Sequence, residues 1–209
     1  MAGALDRWIA MGCAWIALGV AGCAPKAIVL SPGPVAMETV TGRVEGPAAW
    51  SLWIRDSRDA RPPERAGQKL GVMYTRFEKA PQDVFLDRSP AEYLRDQLRR
   101  YLLHRGLEAS SADKARAFLE LELEAFALEE TPGAVWDEVT VRVAYTVAMF
   151  RADGEEAGKV RLEAQKQVKS PGNSARQAEK AFREVLLDTF QALEGSREFQ
   201  DLLRSLGGT

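Results

Sequence analysis

The chain carries a single histidine, His104, and one regular row of carboxylates, Glu120, Glu122 and Glu124. These are its groups best suited to moving protons or holding a metal. In an extended strand, alternate residues share a face about 7 Å apart, close enough for two carboxylates to divide acid and base work or to bind a divalent cation. A plainer role competes with that one and is favoured. The row is the wet face of a sheet, crossed by Arg142 and Arg161 from neighbouring strands, because opposite charges are the ordinary cross-strand arrangement. A Ser-His-Asp triad or a histidine-containing metal site would have to use His104. That residue falls in the last turn of an expected helix, where an imidazolium complements the carbonyl end of the helix dipole. No G-x-S-x-G, no Gly-Lys-Ser/Thr phosphate loop and no zinc-type Cys/His spacing occurs. The expectation is therefore a protein that is not an enzyme and uses no cofactor and no metal.

Binding chemistry is better represented. Residues 55–105 carry a net charge of +4 and residues 106–169 a net charge of −5. Arg55, Arg58, Arg61 and Arg65 form a basic run that suits an anionic lipid headgroup, a glycan phosphate or an acidic protein patch. The alternative is that the run and the acidic strands neutralise each other within one molecule. Both readings stay open at this level.

The whole chain of 209 residues, 46% apolar, has enough material for a real core. Its net charge of −2 excludes a general basic field for nucleic acid, and 28% charged residues exclude a multi-span membrane protein.

Trp8 to Val20 is an uncharged apolar run of 13 residues. It is too short to cross a hydrocarbon core of about 30 Å and has the length of a signal-peptide core. Val20-Ala21-Gly22-Cys23 follows directly and resembles the bacterial lipobox, in which small residues flank the scissile bond and the cysteine thiol takes a diacylglyceryl thioether. An ordinary secretory signal or a single anchor helix is the competing reading. Acylated Cys23 becomes the new N-terminus, and two or three acyl chains at ~0.8 kcal/mol per buried CH₂ make the attachment effectively permanent. The second cysteine, Cys13, lies in the discarded leader, so no thiol remains for a disulfide. The expected partner is thus the bacterial membrane, reached through the N-terminal lipid. By resemblance to bacterial lipoproteins, Ala24 after the cysteine implies sorting to the outer membrane, with the domain facing the periplasm.

Residues 1–22 are read as signal peptide, 23–49 as a lipidated Pro/Gly-rich tether, and 50–209 as one α+β domain. Ala27 to Leu30 allows a short added strand. Trp50 to Ile54 predicts a first strand ended by the polar run Arg55 to Glu64, and Leu70 to Phe77 predicts a weaker second one. Ser89-Pro90-Ala91-Glu92 reads as a capping box opening a helix over 90–105 that stops at Gly106. Alternation predicts three strands, 117–128, 138–150 and 159–168, as an antiparallel meander, with Leu119, Leu121 and Leu123 inward. Ala178, Phe182, Val185, Leu186, Thr189, Phe190 and Leu193 trace a helix ending at Gly195, and Phe199, Leu202, Leu203 and Leu206 trace a last one. Apolar faces of sheet and helices must cover each other. The fold class is therefore α+β, a two-layer sandwich with a mostly antiparallel sheet and helices on one face.

The order of these elements, with Asp56-Ser57-Arg58 after the first strand, Gly71 leading the second and Arg105-Gly106 ending the helix, resembles the YajG-type bacterial outer-membrane lipoproteins. The likeness runs along the whole mature chain. It implies an outer-membrane location and an interaction domain for a periplasmic or outer-membrane protein, supporting an envelope complex. The layout is also similar to auxiliary lipoproteins of lipid-transport systems and to activators of peptidoglycan synthases, which implies the alternative role.

Overall fold

A computed structural model describes residues 27–37, 51–74, 81–133, 135–170 and 174–207. Seven strands run in chain order: β1 (Ile28–Leu30), β2 (Leu52–Asp59), β3 (Lys69–Tyr74), β4 (Pro81–Leu86), β5 (Ala117–Thr131), β6 (Asp137–Arg151) and β7 (Glu156–Ser170). Three helices accompany them: α1 (Pro90–His104), α2 (Ser174–Gly195) and α3 (Arg197–Gly207). One sheet holds all seven strands, six of them in the order β1-β4-β3-β5-β6-β7, with β2 paired to β5 off that path. The helices pack on it, which is the expected two-layer α+β sandwich.

Strand β5 organises the sheet. One edge pairs along its length with β6, which pairs in turn with β7, giving the expected antiparallel meander. Its other edge is shared between two strands: β2 lies parallel to the first half, from Leu52 opposite Ala117 to Asp59 opposite Leu123, and β3 lies parallel to Leu128 and Glu129. β4 is antiparallel to β3, and β1 is parallel to β4.

Alternation decides which side chains enter the core. Leu119, Leu121 and Leu123 are buried, as their spacing predicts. A register shift between Leu123 and Ala125 then reverses the parity, so Phe126, Leu128 and Glu130 point inward. Phe126 stacks on Phe182 of α2 with centroids 4.6 Å apart and meets Tyr93 of α1 edge-on at 6.0 Å. The Tyr145 hydroxyl donates to Thr189 Oγ1 over 3.0 Å, so the hydroxyls in this part of the core are paired. Every residue of the apolar stripes expected of α2 and α3 is buried.

Three expectations change, and one is met as far as the described residues reach. The first strand does not stop at Ile54 but runs on to Asp59, because its charged residues find partners on β5. Its expected first residue, Trp50, lies outside the described residues. The second strand covers Lys69–Tyr74, and residues 75–80 lie outside the described residues. β4 was not anticipated: Gln82, Val84 and Leu86 alternate inward, but over six residues the pattern carries little weight without β3 beside it. Ser89 and Pro90 do open α1, yet the Ser89 side chain makes no capping bond. Gly106 ends the helix with φ +70°, and the Leu107 N–H donates to the Leu102 carbonyl, as the glycine stop requires.

Part of the stretch read as a tether is ordered against the domain. Ile28–Leu30 joins the sheet beside β4, and Leu30, Val35 and Met37 are buried. The Ser31 hydroxyl donates to Asp87 Oδ2 over 2.6 Å, and the Val35 N–H to Gln97 Oε1 over 2.9 Å.

Candidate functional site

The acidic row and the basic run meet each other. On the sheet face opposite the helices, Arg55 Nε donates to Glu120 over 2.6 Å, and Arg58 is paired with Glu122. Glu124 accepts from Thr146 over 2.6 Å and from Arg161 over 2.8 Å. Arg161 and Arg142 both donate to Glu163, over 2.7 Å each. These hydrogen bonds hold the Glu163 carboxyl below its ordinary range and raise Arg161 above its own. Arg55 also lies over the Phe150 ring, 4.1 Å from its centroid, covering an outward aromatic. Each carboxylate of the row is thus paired with an arginine, Glu120 and Glu122 from the adjacent β2 and Glu124 from β7 beyond β6, and among the described residues no three metal-ligating side chains converge.

The four arginines separate. Arg55 and Arg58 belong to β2 and to this ion-pair lattice. Arg65 stands exposed in the turn Pro63–Arg65. It rims a polar depression of about 630 Å³ with Glu64, Lys69, Glu129 and Arg142. Arg61 does not fit the expectation of a partner-binding group, for it is 5% exposed. Its guanidinium donates to both Asp59 oxygens over 2.6 and 2.8 Å, and to the carbonyls of Gly67, Lys69 and Phe126 over 2.5, 3.2 and 3.3 Å. The reason is the shared edge of β5, where backbone acceptors between the end of β2 and the start of β3 need a donor.

His104 is exposed in the last turn of α1. It borders a shallow groove with Leu103 and the 34–37 segment.

A second groove was not visible in the sequence. It lies between α1 and the outer edge of β2, with a volume of about 210 Å³, an apolar floor of Leu52, Trp53, Ile54 and Leu102 and a charged rim of Arg95, Arg99 and Glu108. Arg99 is paired with Glu108 and lies 5.6 Å from the centroid of the Trp53 ring. Next to it, Leu52 exchanges backbone hydrogen bonds with Leu107 and Ala109. From Trp53 onward no described strand pairs with this edge of β2. The other long edge, β7, carries Lys159, Arg161, Glu163, Lys166 and Lys169, the charged dressing that discourages strand addition. Only the juxtaposition of β2 with α1, 31 residues further on, makes the groove.

Cys23, its lipobox Val20, Ala21 and Gly22, and Ala24 lie outside the described residues. Among the described residues no helix is long and apolar enough to cross a membrane.

No family model matches the chain, and no curated relative matches it in sequence. Its fold is similar to that of protein XCC0632 from Xanthomonas campestris, of family DUF330, at 12% identity and a TM-score of 0.54, over 87% of this chain and 96% of that one. A minor lipoprotein from Acinetobacter baumannii aligns at 15% identity and a TM-score of 0.40, over 72% of this chain and 94% of that one. At 12% identity the likeness to XCC0632 is one of fold.

Proposed function

We propose that the chain is a lipid-anchored envelope protein whose α+β domain is a non-enzymatic interaction module, held through acylated Cys23 at the periplasmic face of the outer membrane. The leader and lipobox supply the anchor, and the resemblance to YajG-type lipoproteins supports the location. The observation that carries the binding role is the edge of β2, which from Trp53 onward pairs with no strand among the described residues, beside the groove floored by Trp53 and Ile54. An extended segment of an envelope protein adds there as an eighth strand, its backbone pairing with β2 and one apolar side chain filling the groove. The charged rim of Arg95, Arg99 and Glu108 sets its register.

Lipid handling, the alternative role, needs an apolar channel between sheet and helices. That layer is occupied by Phe126 in contact with both Tyr93 and Phe182, which favours the interaction reading.

A photo-crosslinking residue at Ile54 of the full-length protein, expressed in cells, tests this. One envelope protein captured from position 54, but not from Lys166 on the β7 edge, is the expected result. Equal capture at both positions, or none at 54, overturns the reading.

A further inference from the structure

Val135 and Trp136 are 65% and 52% exposed at the tip of the hairpin that joins β5 to β6, two strands of 15 residues each. The Gly133 N–H donates to Asp137 Oδ1 over 3.3 Å, and a Cβ on Gly133 would stand 2.0 Å from the Trp136 carbonyl oxygen. Tryptophan, with an apolar ring and one N–H donor, is the side chain most at home where hydrocarbon meets headgroups.

The sheet register ties this tip to the N-terminus. Ile28 lies opposite Val84, Val84 opposite Gly71, and Gly71 opposite Leu128, so these four residues share one level across β1, β4, β3 and β5. β5 runs from that level toward the tip. β1 is parallel to β4, which is antiparallel to β3, so the chain enters β1 from the tip end. Gly133 is five residues beyond Leu128, and Cys23 is five residues before Ile28. At about 3.3 Å per residue five residues span at most roughly 16 Å, which bounds both distances. The chain therefore leads to Cys23 from the end of the sheet at which the apolar tip lies.

At the opposite end, the turn between β6 and β7 is built of Arg151, Asp153, Gly154 and Glu155, all exposed. The groove beside β2 is also at that end, because Leu52 is level with Ala117, eleven residues before Leu128 and roughly 36 Å lower.

We infer that the hairpin tip faces the bilayer holding the Cys23 lipid, and that Val135 and Trp136 enter its interface as a second, non-covalent contact. This contact fixes the orientation of the domain and presents the β2 groove away from the membrane. It rests on the proposed acylation of Cys23.

The test uses the full-length acylated protein with Val135→Cys or Asp153→Cys, each labelled with an environment-sensitive fluorophore. With Cys13 removed in the leader and Cys23 acylated, the introduced thiol is the only free one. Each protein is mixed with vesicles of phosphatidylethanolamine and phosphatidylglycerol carrying brominated acyl chains, and flotation is scored separately from quenching. The expected result is flotation of both, with emission at 135 blue-shifted and quenched at least roughly twofold and emission at 153 unchanged. Flotation with no quenching at 135, or with equal quenching at both positions, overturns the orientation and leaves the anchor standing. Failure to float, with no acyl mass on Cys23, overturns the anchor and the orientation together. Trp136→Cys gives the same reading if Val135→Cys does not fold.

Discussion

Arg61 Nη1 lies 3.3 Å from the carbonyl oxygen of Phe126, a residue 65 positions away, and this contact closes the one interruption in the edge of β5. β2 has left that edge at Leu123 and β3 joins it at Leu128. Between them a charged side chain does what a strand backbone does elsewhere.

Arg61→Leu removes the donor for three carbonyls and strands the half-buried Asp59. A loss of about 3 kcal/mol is expected, the usual cost of leaving one member of a buried pair alone. Arg61→Lys recovers little of it, because a single ammonium does not span the guanidinium fork. Urea unfolding of the leaderless chain, read as a lower midpoint at unchanged slope, checks both.

Acid exposes the same contact. Burial raises the Asp59 carboxyl, but hydrogen bonds from the Arg61 side chain and backbone, the Arg61 charge and the Gly67 backbone together outweigh it, leaving Asp59 below its ordinary range. Asp87 is lowered first by the Ser31 hydroxyl and then by Arg88, against burial. A depressed carboxylate contributes stability that is present above its unfolded value, about 3.9, and is lost as pH falls through the folded value. Melting temperature should therefore hold near neutrality and drop below about pH 4. Asp59→Asn lowers the plateau and flattens the drop. An Asp59→Asn curve as steep as wild type would exclude Asp59 as the source.

Gly71→Ala places a Cβ 1.8 Å from the Leu128 carbonyl oxygen, where only backbone can yield. β3 has to leave β5, and a loss of about 3 kcal/mol is expected. Calorimetry of the leaderless variant measures it. Gly158→Ala is the control, since its nearest neighbour is the flexible end of Met149 at 3.6 Å.

The open-face arginines should differ in worth although both are ion-paired. Arg55→Ala uncovers Phe150 as well as Glu120, and about 1 kcal/mol is expected from the lost ring contact and pair. Arg58→Ala removes only a solvent-screened pair, and its unfolding midpoint should match wild type. Equal losses in the two variants would show that the ring contact adds nothing.

Most elements were legible in the sequence because their signals are local. Ala178 to Leu193 repeats at helical spacing, Ser89-Pro90 and Gly106 bracket α1, and Leu119 to Leu123 alternate over a run long enough to leave no second interpretation. β4 was not legible, since Gln82, Val84 and Leu86 make too short a pattern, and neither was the extension of β2, whose Arg55, Asp56 and Arg58 read as loop until Glu120 and Glu122 stand opposite them. The groove at Trp53 had no local signal at all. Its floor comes from β2 and its wall from α1.

From its own residues alone the chain determined two layers, one apolar face per element, and a surplus of opposite charges to be matched, behind an apolar run whose end at Cys23 resembles a lipobox. These follow from periodicity and residue type, which each segment carries with it. Tertiary structure decided which strands lie side by side, and with that the fate of the four arginines: two in a lattice, one in solvent, one buried as the stand-in for a strand. It also set Ile28 level with Leu128, so that the chain enters β1 from the end of the sheet where Val135 and Trp136 stand exposed. Pairing between segments this far apart depends on the packing of the whole sheet against its helices, and no local pattern encodes it.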